Sequence, residues 1–315
     1  MTKNRQPAET LRAMVARAFG PAQVVDDGFE ELGLGWFNVA YRVRLASGTS
    51  VVLKIAPPAG VDVLTYERGM LRTEVAALRL VAERTAVPVP RVLAVDESRD
   101  LCDADYFFME FIEGETLSTL DAEVRPALQS ELGTLNRALN EVRGPGFGPL
   151  LAPSSQIWRE VFTGIVDDVL ADGERRSVDL GVPYARLRDL FADHAHSLDE
   201  VTEPRFVEWD LWDGNALVRD GAIAAIIDHE RALWGDPLME SGFAALVLPG
   251  TLGDATAFAD GYGIGPLTPT QLVRRRLYTM HLLLVMTIET VYRKHESPAQ
   301  YEFSRAALAE LIEGF

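Results

Sequence analysis

Short apolar runs rich in β-forming residues dominate the first third of the chain. Gly, Pro, Asp and Ser separate these runs, which lie at residues 29–34, 40–45, 50–56, 91–96 and 105–112. One longer segment, residues 65–84, repeats its apolar positions with the period of an amphipathic helix. The pattern therefore predicts a small β-rich unit that contains a single helix.

The hydrophobic pattern changes to helical periodicity after Gly114. Helices are predicted at residues 125–142, 155–172, 184–199 and 270–294. No internal repeat or long Gly/Ser linker separates the two parts. The sequence thus predicts an N-terminal lobe over residues 1–112, a larger helical lobe over residues 113–315, and a cleft between them.

One segment of the second part departs from the helical pattern. In residues 215–228 two apolar runs flank Asp220-Gly221, a strong hairpin turn signal. With these two residues at the turn, Asn215 falls opposite Ile226, and Asp228 lies two residues beyond that partner. Asp228 would then sit diagonal to Asn215 at roughly 7–8 Å between α-carbons, close enough for both side chains to share one cation. Hard oxygen ligands of this kind suit Mg²⁺.

Asp210 lies five residues before Asn215. This D-x-x-x-x-N interval is that of a kinase catalytic loop, in which the Asp accepts or orients a hydroxyl proton and the Asn binds metal. Taken alone, the pair is better explained as turn residues that cap local backbone. The hairpin and Asp228 favour the catalytic interpretation.

The segment that holds these residues, EWDLWDGNALVRDGAIAAIIDHERALWGDP, resembles the central signature of the aminoglycoside phosphotransferase family. That family shows an H-x-D-x-x-x-x-N loop, a strand that ends in I-D-[FW]-E, and then G-D-P. The resemblance implies that Asp210 is the catalytic base, that Asn215 and Asp228 bind metal, and that residues 235–237 form a structural turn. It also implies an α+β, bilobal, protein-kinase-like fold with a small antiparallel sheet, one key helix and a mainly helical C-lobe.

The sequence departs from the family pattern at two positions. Glu208 stands where the family has histidine, and His229 stands where it has an aromatic residue. Because these positions approach one another in the family fold, we expect Glu208 and His229 to form a charge-assisted pair. The alternative for His229 is an ordinary hydrogen-bonded core histidine.

Lys54 interrupts an apolar strand, and a buried ammonium requires an anionic partner. Glu74 shares the apolar face of the predicted helix with Leu71 and Leu78, so it is the predicted partner, with Glu67 as the fallback. A snorkelling lysine and a solvated glutamate are the alternatives. The resemblance implies that Lys54 binds the α- and β-phosphates of a nucleotide and that Glu74 orients it.

Two further segments are candidates for nucleotide contacts. Gly33, Gly35 and Asn38 lie between two predicted strands, where the glycines would let backbone fold over phosphates or simply form a hairpin turn. The resemblance favours the phosphate loop. It also implies that the backbone of Glu110 and Ile112 contacts the purine. The choice between ATP and GTP stays open, because backbone contacts leave little sequence trace.

Composition narrows the classes of partner. The chain has 315 residues, 48% of them hydrophobic, and its formal net charge of −17 argues against nucleic acid and would suit a cationic small molecule. The same charge is also explained as a solubilising surface.

The longest strongly apolar segment, residues 282–288, is far shorter than the roughly 20 residues that cross a bilayer. Because Cys102 is the only cysteine and the N-terminal stretch lacks a signal-peptide pattern, we expect a cytoplasmic protein without a membrane partner.

The acceptor end of the cleft is less defined by sequence. Four acids are candidates to receive ammonium groups of a substrate: Glu230, Asp236, Glu240 and Glu289. Trp209 and Trp212 either stack on a sugar or base or pack the loop.

We therefore predict a Mg²⁺-dependent kinase with ATP or GTP as donor and a small hydroxylated acceptor. An antibiotic of aminoglycoside, peptide or nucleoside type is expected, with resistance or self-protection as the consequence. The alternatives are a metabolic kinase for homoserine, choline or a sugar, and a pseudokinase-like nucleotide-binding module.

Overall fold

An antiparallel sheet of five strands forms the smaller lobe of the computed structural model, which describes residues 3–33 and 37–315. The strand order is β1-β2-β3-β5-β4, and the bounds are β1 Phe29–Leu32, β2 Val39–Arg44, β3 Ser50–Ile55, β4 Val92–Asp96 and β5 Tyr106–Glu110. One face of this sheet packs against helix α1, Ala8–Phe19, through Leu11, Met14 and Val15. The five predicted strands are therefore confirmed, four with slightly shorter bounds and β2 shifted by one residue, whereas α1 was not predicted.

The key helix of the small lobe, α2, spans Met70–Arg84 and packs Leu71, Val75 and Leu78 against β3 and β5. The prediction of one helix over residues 65–84 is wrong in its first turn. Gly69 has a φ of 79°, a left-handed conformation that cannot continue a right-handed helix. The chain therefore forms a separate 3₁₀ turn, Thr65–Glu67, before α2 begins.

The larger lobe is mainly helical. Its helices are α3 Arg125–Asn140, α4 Trp158–Arg175, α5 Tyr184–His194, α6 Thr256–Tyr262, α7 Pro269–Arg293 and α8 Ala299–Glu313. Helix α7 lies in the centre of the lobe, where Tyr278 meets Trp158 and Phe162 of α4. The four helices predicted here are confirmed, with α5 shorter than its predicted segment, and α6 and α8 are additions.

Six short strands accompany these helices. They form two three-stranded sheets and are β6 Glu115–Thr116, β7 Gly148–Pro149, β8 Arg205–Val207, β9 Ala216–Arg219, β10 Ala222–Ile226 and β11 Leu233–Gly235. The lobes are joined by the irregular residues between β5 and β6, and β6 pairs with β9. The connection between the lobes thus runs directly to the hairpin formed by β9 and β10.

This hairpin forms as predicted, but its register does not hold throughout. Arg219 faces Ala222 as expected, and then a bulge between Ile223 and Ala225 shifts the pairing so that Ile226 faces Ala216. The prediction that Asn215 lies opposite Ile226 is therefore wrong by one residue. A bulge inserts an unpaired residue into one strand, and the apolar run AIAAII carries no mark of where it occurs.

The connection between β3 and α2 crosses from the small lobe to the large one. We call residues 57–69 the bridging segment. Leu64 in this segment belongs to the core of the large lobe, and the backbone N–H and hydroxyl of Thr65 donate to Asp172 of α4 at 2.6 and 2.9 Å. Glu67 forms an ion pair with Arg293 at 2.7 Å. The bridging segment therefore contacts the large lobe through apolar packing, hydrogen bonds and an ion pair, although the sequence pattern assigned it to the small lobe alone.

Within the part of the chain that the structure describes, every helix is too short or too polar to cross a membrane.

Helices α3 and α6 approach so closely that they contact through backbone, and this contact generates a stability prediction. A Cβ added at Gly261 would lie 1.8 Å from the Ser130 carbonyl oxygen. We expect Gly261→Ala to lower the free energy of unfolding by about 1–3 kcal/mol, because the backbones must separate to admit the methyl group. Gly164 of α4 has open space around it, so Gly164→Ala is the matched control and should raise stability by about 0.5–1 kcal/mol. Urea unfolding of both variants checks this, and equal effects would contradict it.

Candidate active site

Lys54 of β3 forms an ion pair with one carboxylate of each lobe. Its ammonium group donates to Glu74 of α2 at 2.6 Å and to Asp228, just after β10, at 2.7 Å. Burial by itself would lower the pKa of Lys54, but the carboxylates of Asp228 and Glu74 raise it above its ordinary value. The predicted pairing with Glu74 is confirmed. The fallback, Glu67, binds Arg293 instead.

Three carboxyl groups converge around this lysine. Oxygens of Glu74, Asp228 and Glu230 all lie within 4.8 Å of one another, a spacing suited to a metal ion. Glu230 is buried and accepts a hydrogen bond from Asn38 at 2.6 Å. Burial and the neighbouring Asp228 raise the pKa of Glu230 well above its usual value, whereas Lys54 holds the pKa of Asp228 below its usual value against the opposing effect of burial.

The position of Glu230 was not predicted. The sequence placed it among acids that face the substrate, but Asp228 adopts a left-handed conformation with φ 69° and ψ 49°. A 3₁₀ turn, His229–Arg231, follows and returns the Glu230 carboxyl to the cluster. The I-D-x-E spacing was the available signal for this arrangement.

Asn215 connects the loop that carries Asp210 to the end of β10. Its side-chain amide donates to the Asp210 carbonyl at 2.9 Å, and its own backbone carbonyl accepts from the Ile227 N–H at 2.9 Å. Asn215 therefore lies beside the residue that precedes Asp228, with its amide oxygen left to bind another group. The structure brings Asp210, Asn215 and Asp228 into one site, while their catalytic and metal-binding roles stay predictions.

The Asp210 side chain is 26% exposed. Burial raises its pKa to about 6, although the guanidinium of Arg231, 3.6 Å away, acts in the opposite direction. A carboxyl group with a raised pKa holds a proton more readily than an ordinary aspartic acid.

Trp209, immediately before Asp210, has a φ of 64°, which is unusual for a residue with a large side chain. Its ring stacks on His281 with centroids 4.8 Å apart, and the Arg231 guanidinium lies over it at 5.2 Å. Packing of the loop, one of the two predicted roles of Trp209, is therefore what the ring does. Trp212 is half exposed and makes no comparable stack among the described residues.

Glu208 and His229 form the predicted pair, fully enclosed by protein. The Nδ1 atom of His229 bonds to the Glu208 carboxyl, and its Nε2 atom bonds to the Ile226 carbonyl at 3.1 Å. Burial alone would lower the pKa of His229, but Glu208 raises it above the ordinary value. The Glu208 N–H also donates to Glu240 at 2.8 Å. The two departures from the family pattern thus compensate each other.

The residues predicted to contact nucleotide are only partly described. Gly33 is an exposed turn residue after β1, Gly35 lies outside the described residues, and Asn38 is buried against Glu230. Glu110 ends β5, where its carboxylate pairs with Arg91 at 2.9 Å, and Ile112 lies in the irregular connection between the lobes. Their contacts with nucleotide remain predictions.

The four acids expected to receive a cationic substrate are already bound within the protein. Glu230 accepts from Asn38, Asp236 pairs with Arg274, and Glu240 accepts from Asn136. Glu289 pairs with both Arg231 and Arg293. The site therefore offers no carboxylate from this set that is free of an internal partner.

The buried Glu208–His229 pair generates a prediction about stability and pH. Removal of either partner leaves the other buried and uncompensated, so Glu208→Gln and His229→Phe should each destabilise the protein, by about 3–5 kcal/mol for the more severe change. Because Glu208 raises the pKa of His229 in the folded state, the stabilisation by protonated His229 is fully present below its unfolded pKa. It is lost as pH rises through the folded pKa.

Thermal unfolding between pH 5 and 9 measures this effect, with the double variant as the control. The double variant should be more stable than the sum of the two single losses predicts, since it removes both members of the pair. Unchanged activity and melting temperature in both single variants would show that the pair has no such role.

Comparison with known proteins agrees with this geometry. The chain matches the sequence model of the phosphotransferase enzyme family, abbreviated APH, over residues 28–277. That match includes Lys54, Glu74 and the whole segment from Asp210 to Asp228.

Solved structures show the same fold at low sequence identity. A thermostable mutant of the aminoglycoside phosphotransferase APH(4)-Ia, in a ternary complex with ADP and hygromycin B, is 18% identical with a TM-score of 0.71, and the alignment covers 96% of this chain and 98% of that chain. A protein of Thermobifida fusca YX-ER1 assigned as a fructosamine-3-kinase is 23% identical with a TM-score of 0.65, covering 95% and 98% of the two chains. The bilobal, kinase-like α+β fold expected from the sequence is confirmed, and the chain belongs to the phosphotransferase enzyme family.

Proposed function

We propose that this protein is a Mg²⁺-dependent kinase that transfers the γ-phosphate of a nucleotide to a hydroxyl group of a small molecule. The observation that carries the proposal is the contact of Lys54 with both Glu74 and Asp228, beside a loop in which Asn215 holds Asp210. This combination supplies a cation for phosphates, oxygen ligands for a metal and a carboxylate for the acceptor hydroxyl.

Each residue has a distinct task in this reaction. Lys54, oriented by Glu74, binds phosphate oxygens of the donor. Asp210 accepts a hydrogen bond from the acceptor hydroxyl, aligns its oxygen with the γ-phosphorus, and takes the proton as the new P–O bond forms and the bond to the leaving diphosphate breaks. Burial in the cleft, which raises the pKa of Asp210 to about 6, makes this carboxylate a better proton acceptor than an exposed one.

The donor atoms at the site fit a hard divalent cation. The carboxylate of Asp228 and the amide oxygen of Asn215 would hold Mg²⁺, and Glu230 lies close enough to support it. Bound Mg²⁺ would neutralise negative charge on the donor phosphates. Lys54 already neutralises Asp228, which keeps that carboxylate ionised and ready to act as a ligand.

The nucleotide donor is proposed to be ATP. Two related structures support this choice, since one contains ADP and another, an APH(4)-Ia variant, contains AMP-PNP. GTP remains the alternative, because the predicted purine contacts of Glu110 and Ile112 are made by backbone. A pseudokinase-like module is disfavoured, since Lys54, Asp210, Asn215 and Asp228 are all present and lie together.

The acceptor is proposed to be a hydroxylated small molecule of the cytoplasm. An antibiotic acceptor is suggested by the related structures, which bind hygromycin B or streptomycin, and a metabolic acceptor by the relative assigned as a fructosamine-3-kinase. The internal partners of Glu289 and the other three acids weaken the aminoglycoside form of the antibiotic hypothesis.

Asp210→Asn tests the mechanism with little change of shape. We expect kcat to fall by about 10²–10⁴-fold while Mg²⁺·AMP-PNP still binds, because the amide cannot accept the proton.

In the unaltered enzyme kcat/KM should rise through about pH 6, where Asp210 loses its proton, and then level off. The assay follows ADP release and the gain of one phosphoryl group by mass, over a panel of hydroxylated metabolites and antibiotics.

Asp213→Asn is the matched control for this variant. Asp213 lies in the same loop but bonds to Gln129 at 2.9 Å, so its replacement should leave turnover near the original value. Undiminished phosphoryl transfer in Asp210→Asn would overturn the proposed mechanism.

A further inference from the structure

Two buried arginines stand beside Asp210. We call Arg231 and Arg293 the arginine pair; Arg231 ends the turn after Asp228, and Arg293 ends α7. Their side chains are only 9% and 6% exposed. Arg231 lies 3.6 Å from the Asp210 carboxylate, so the pair borders the position at which an acceptor hydroxyl must lie.

Two carboxylates that pair with the arginine pair, Glu289 and Glu67, already have both of their oxygens bonded within the protein. Glu289 pairs with Arg231 at 3.3 Å and with Arg293 at 3.1 Å, and its second oxygen accepts from Gln300 at 2.7 Å. Glu67 pairs with Arg293 at 2.7 Å and accepts from the Leu64 N–H at 2.9 Å. An acceptor that carries several ammonium groups would have to displace these internal arginines and leave them buried without their anions.

Hydrogen-bond donors, in contrast, are in excess here. The Nε atoms of Arg231 and Arg293 and the hydroxyl of Tyr66 are buried without a partner among the described residues. Among the residues that the structure describes, Arg231 makes one side-chain hydrogen bond, at 3.3 Å to Glu289, and an ion pair with Asp210 at 3.6 Å, although a guanidinium carries five N–H groups. A neighbourhood with spare donors and saturated carboxylates is complementary to a group that accepts hydrogen bonds and carries negative charge.

The guanidinium of Arg231 is also held in place before any ligand arrives. It lies 5.5 Å from the centre of the Tyr66 ring and 5.2 Å from that of Trp209. Trp209 is itself fixed by its stack on His281. A cation anchored between aromatic rings is more selective for a planar anion than one on a mobile side chain, because less side-chain freedom is lost on binding.

We propose that the acceptor is a hydroxy acid, in which a carboxylate close to the phosphorylated hydroxyl is bound by Arg231 with support from Tyr66 and Arg293. This inference rests on the proposed kinase function and specifies its substrate class. Arg231 becomes the residue that determines specificity. Polycationic acceptors such as aminoglycosides are excluded by the same arrangement.

The test compares acceptors that share a hydroxylated skeleton and differ in charge. Glucuronate, glucose and glucosamine form one series, glycerate, glycerol and 3-amino-1,2-propanediol form another, and hygromycin B represents the polycations. The complete protein with Mg²⁺ and ATP is assayed for ADP release and phosphoryl transfer to each compound. We expect the acid of a series to exceed its neutral and amino counterparts by about tenfold or more in kcat/KM, the size expected for one charge-assisted hydrogen bond.

Variants of Arg231 identify the source of this preference. Arg231→Gln should raise KM for the acid by about tenfold or more and leave the affinity for Mg²⁺·AMP-PNP unchanged, whereas Arg231→Lys should restore part of the preference through its charge. Arg84→Gln, on the exposed end of α2, is the control and should leave the preference intact.

Several results would overturn the inference. They are a preference for the amino compounds or hygromycin B, no transfer to any acid, or a loss of nucleotide affinity in Arg231→Gln, which would assign the arginine to the donor. Failure of the kinase function itself gives a different result, in which Mg²⁺·AMP-PNP does not bind or transfer to every compound is insensitive to Asp210→Asn.

Discussion

The structure depends on one buried cation that is shared between two carboxylates from different lobes. Lys54 comes from the central part of the small sheet, Glu74 from the helix that packs on that sheet, and Asp228 from the end of a hairpin in the large lobe. A buried ammonium is costly without anions, and each buried carboxylate is costly without a cation. The ion pairs of Lys54 therefore stabilise the contact between the lobes at this point, which is also the proposed nucleotide site.

The catalytic loop shows the same principle of mutual compensation. Glu208 introduces a buried carboxylate next to the proposed base, and protonated His229, whose pKa it raises, supplies the compensating positive charge. Glu240, whose pKa is raised to about 8 by burial and by the charge of Glu208, accepts from the Glu208 N–H and so joins this network. The loop thereby keeps its position with residues unlike those usual in the family, since the geometry requires a bonded pair there rather than one particular side chain.

The sequence allowed most of the fold and the principal site to be predicted, because its signals were local. Alternating apolar runs located the strands of the small lobe, helical periodicity located α3, α4 and α7, and Asp220-Gly221 located the hairpin. The errors arose where the apolar pattern carries no signal. The bulge after Ile223 leaves no mark in a uniformly apolar run, and the break before α2 comes from the left-handed backbone of Gly69. The contacts of Arg231 join it to residues far away in sequence.

The bridging segment has a mechanical consequence. Tyr66 and Glu67 border the arginine pair, and only a few residues later the same stretch of chain becomes α2 and presents Glu74 to Lys54. Only Arg68 and Gly69 separate Glu67 from the first residue of α2, so an acceptor that displaced Glu67 would act on chain directly attached to that helix. If this connection changes the affinity for the nucleotide when the acceptor binds, nucleotide binding changes the affinity for the acceptor by the same factor. The proposed acceptor site and the proposed nucleotide site are thus connected by continuous backbone as well as by side-chain contacts.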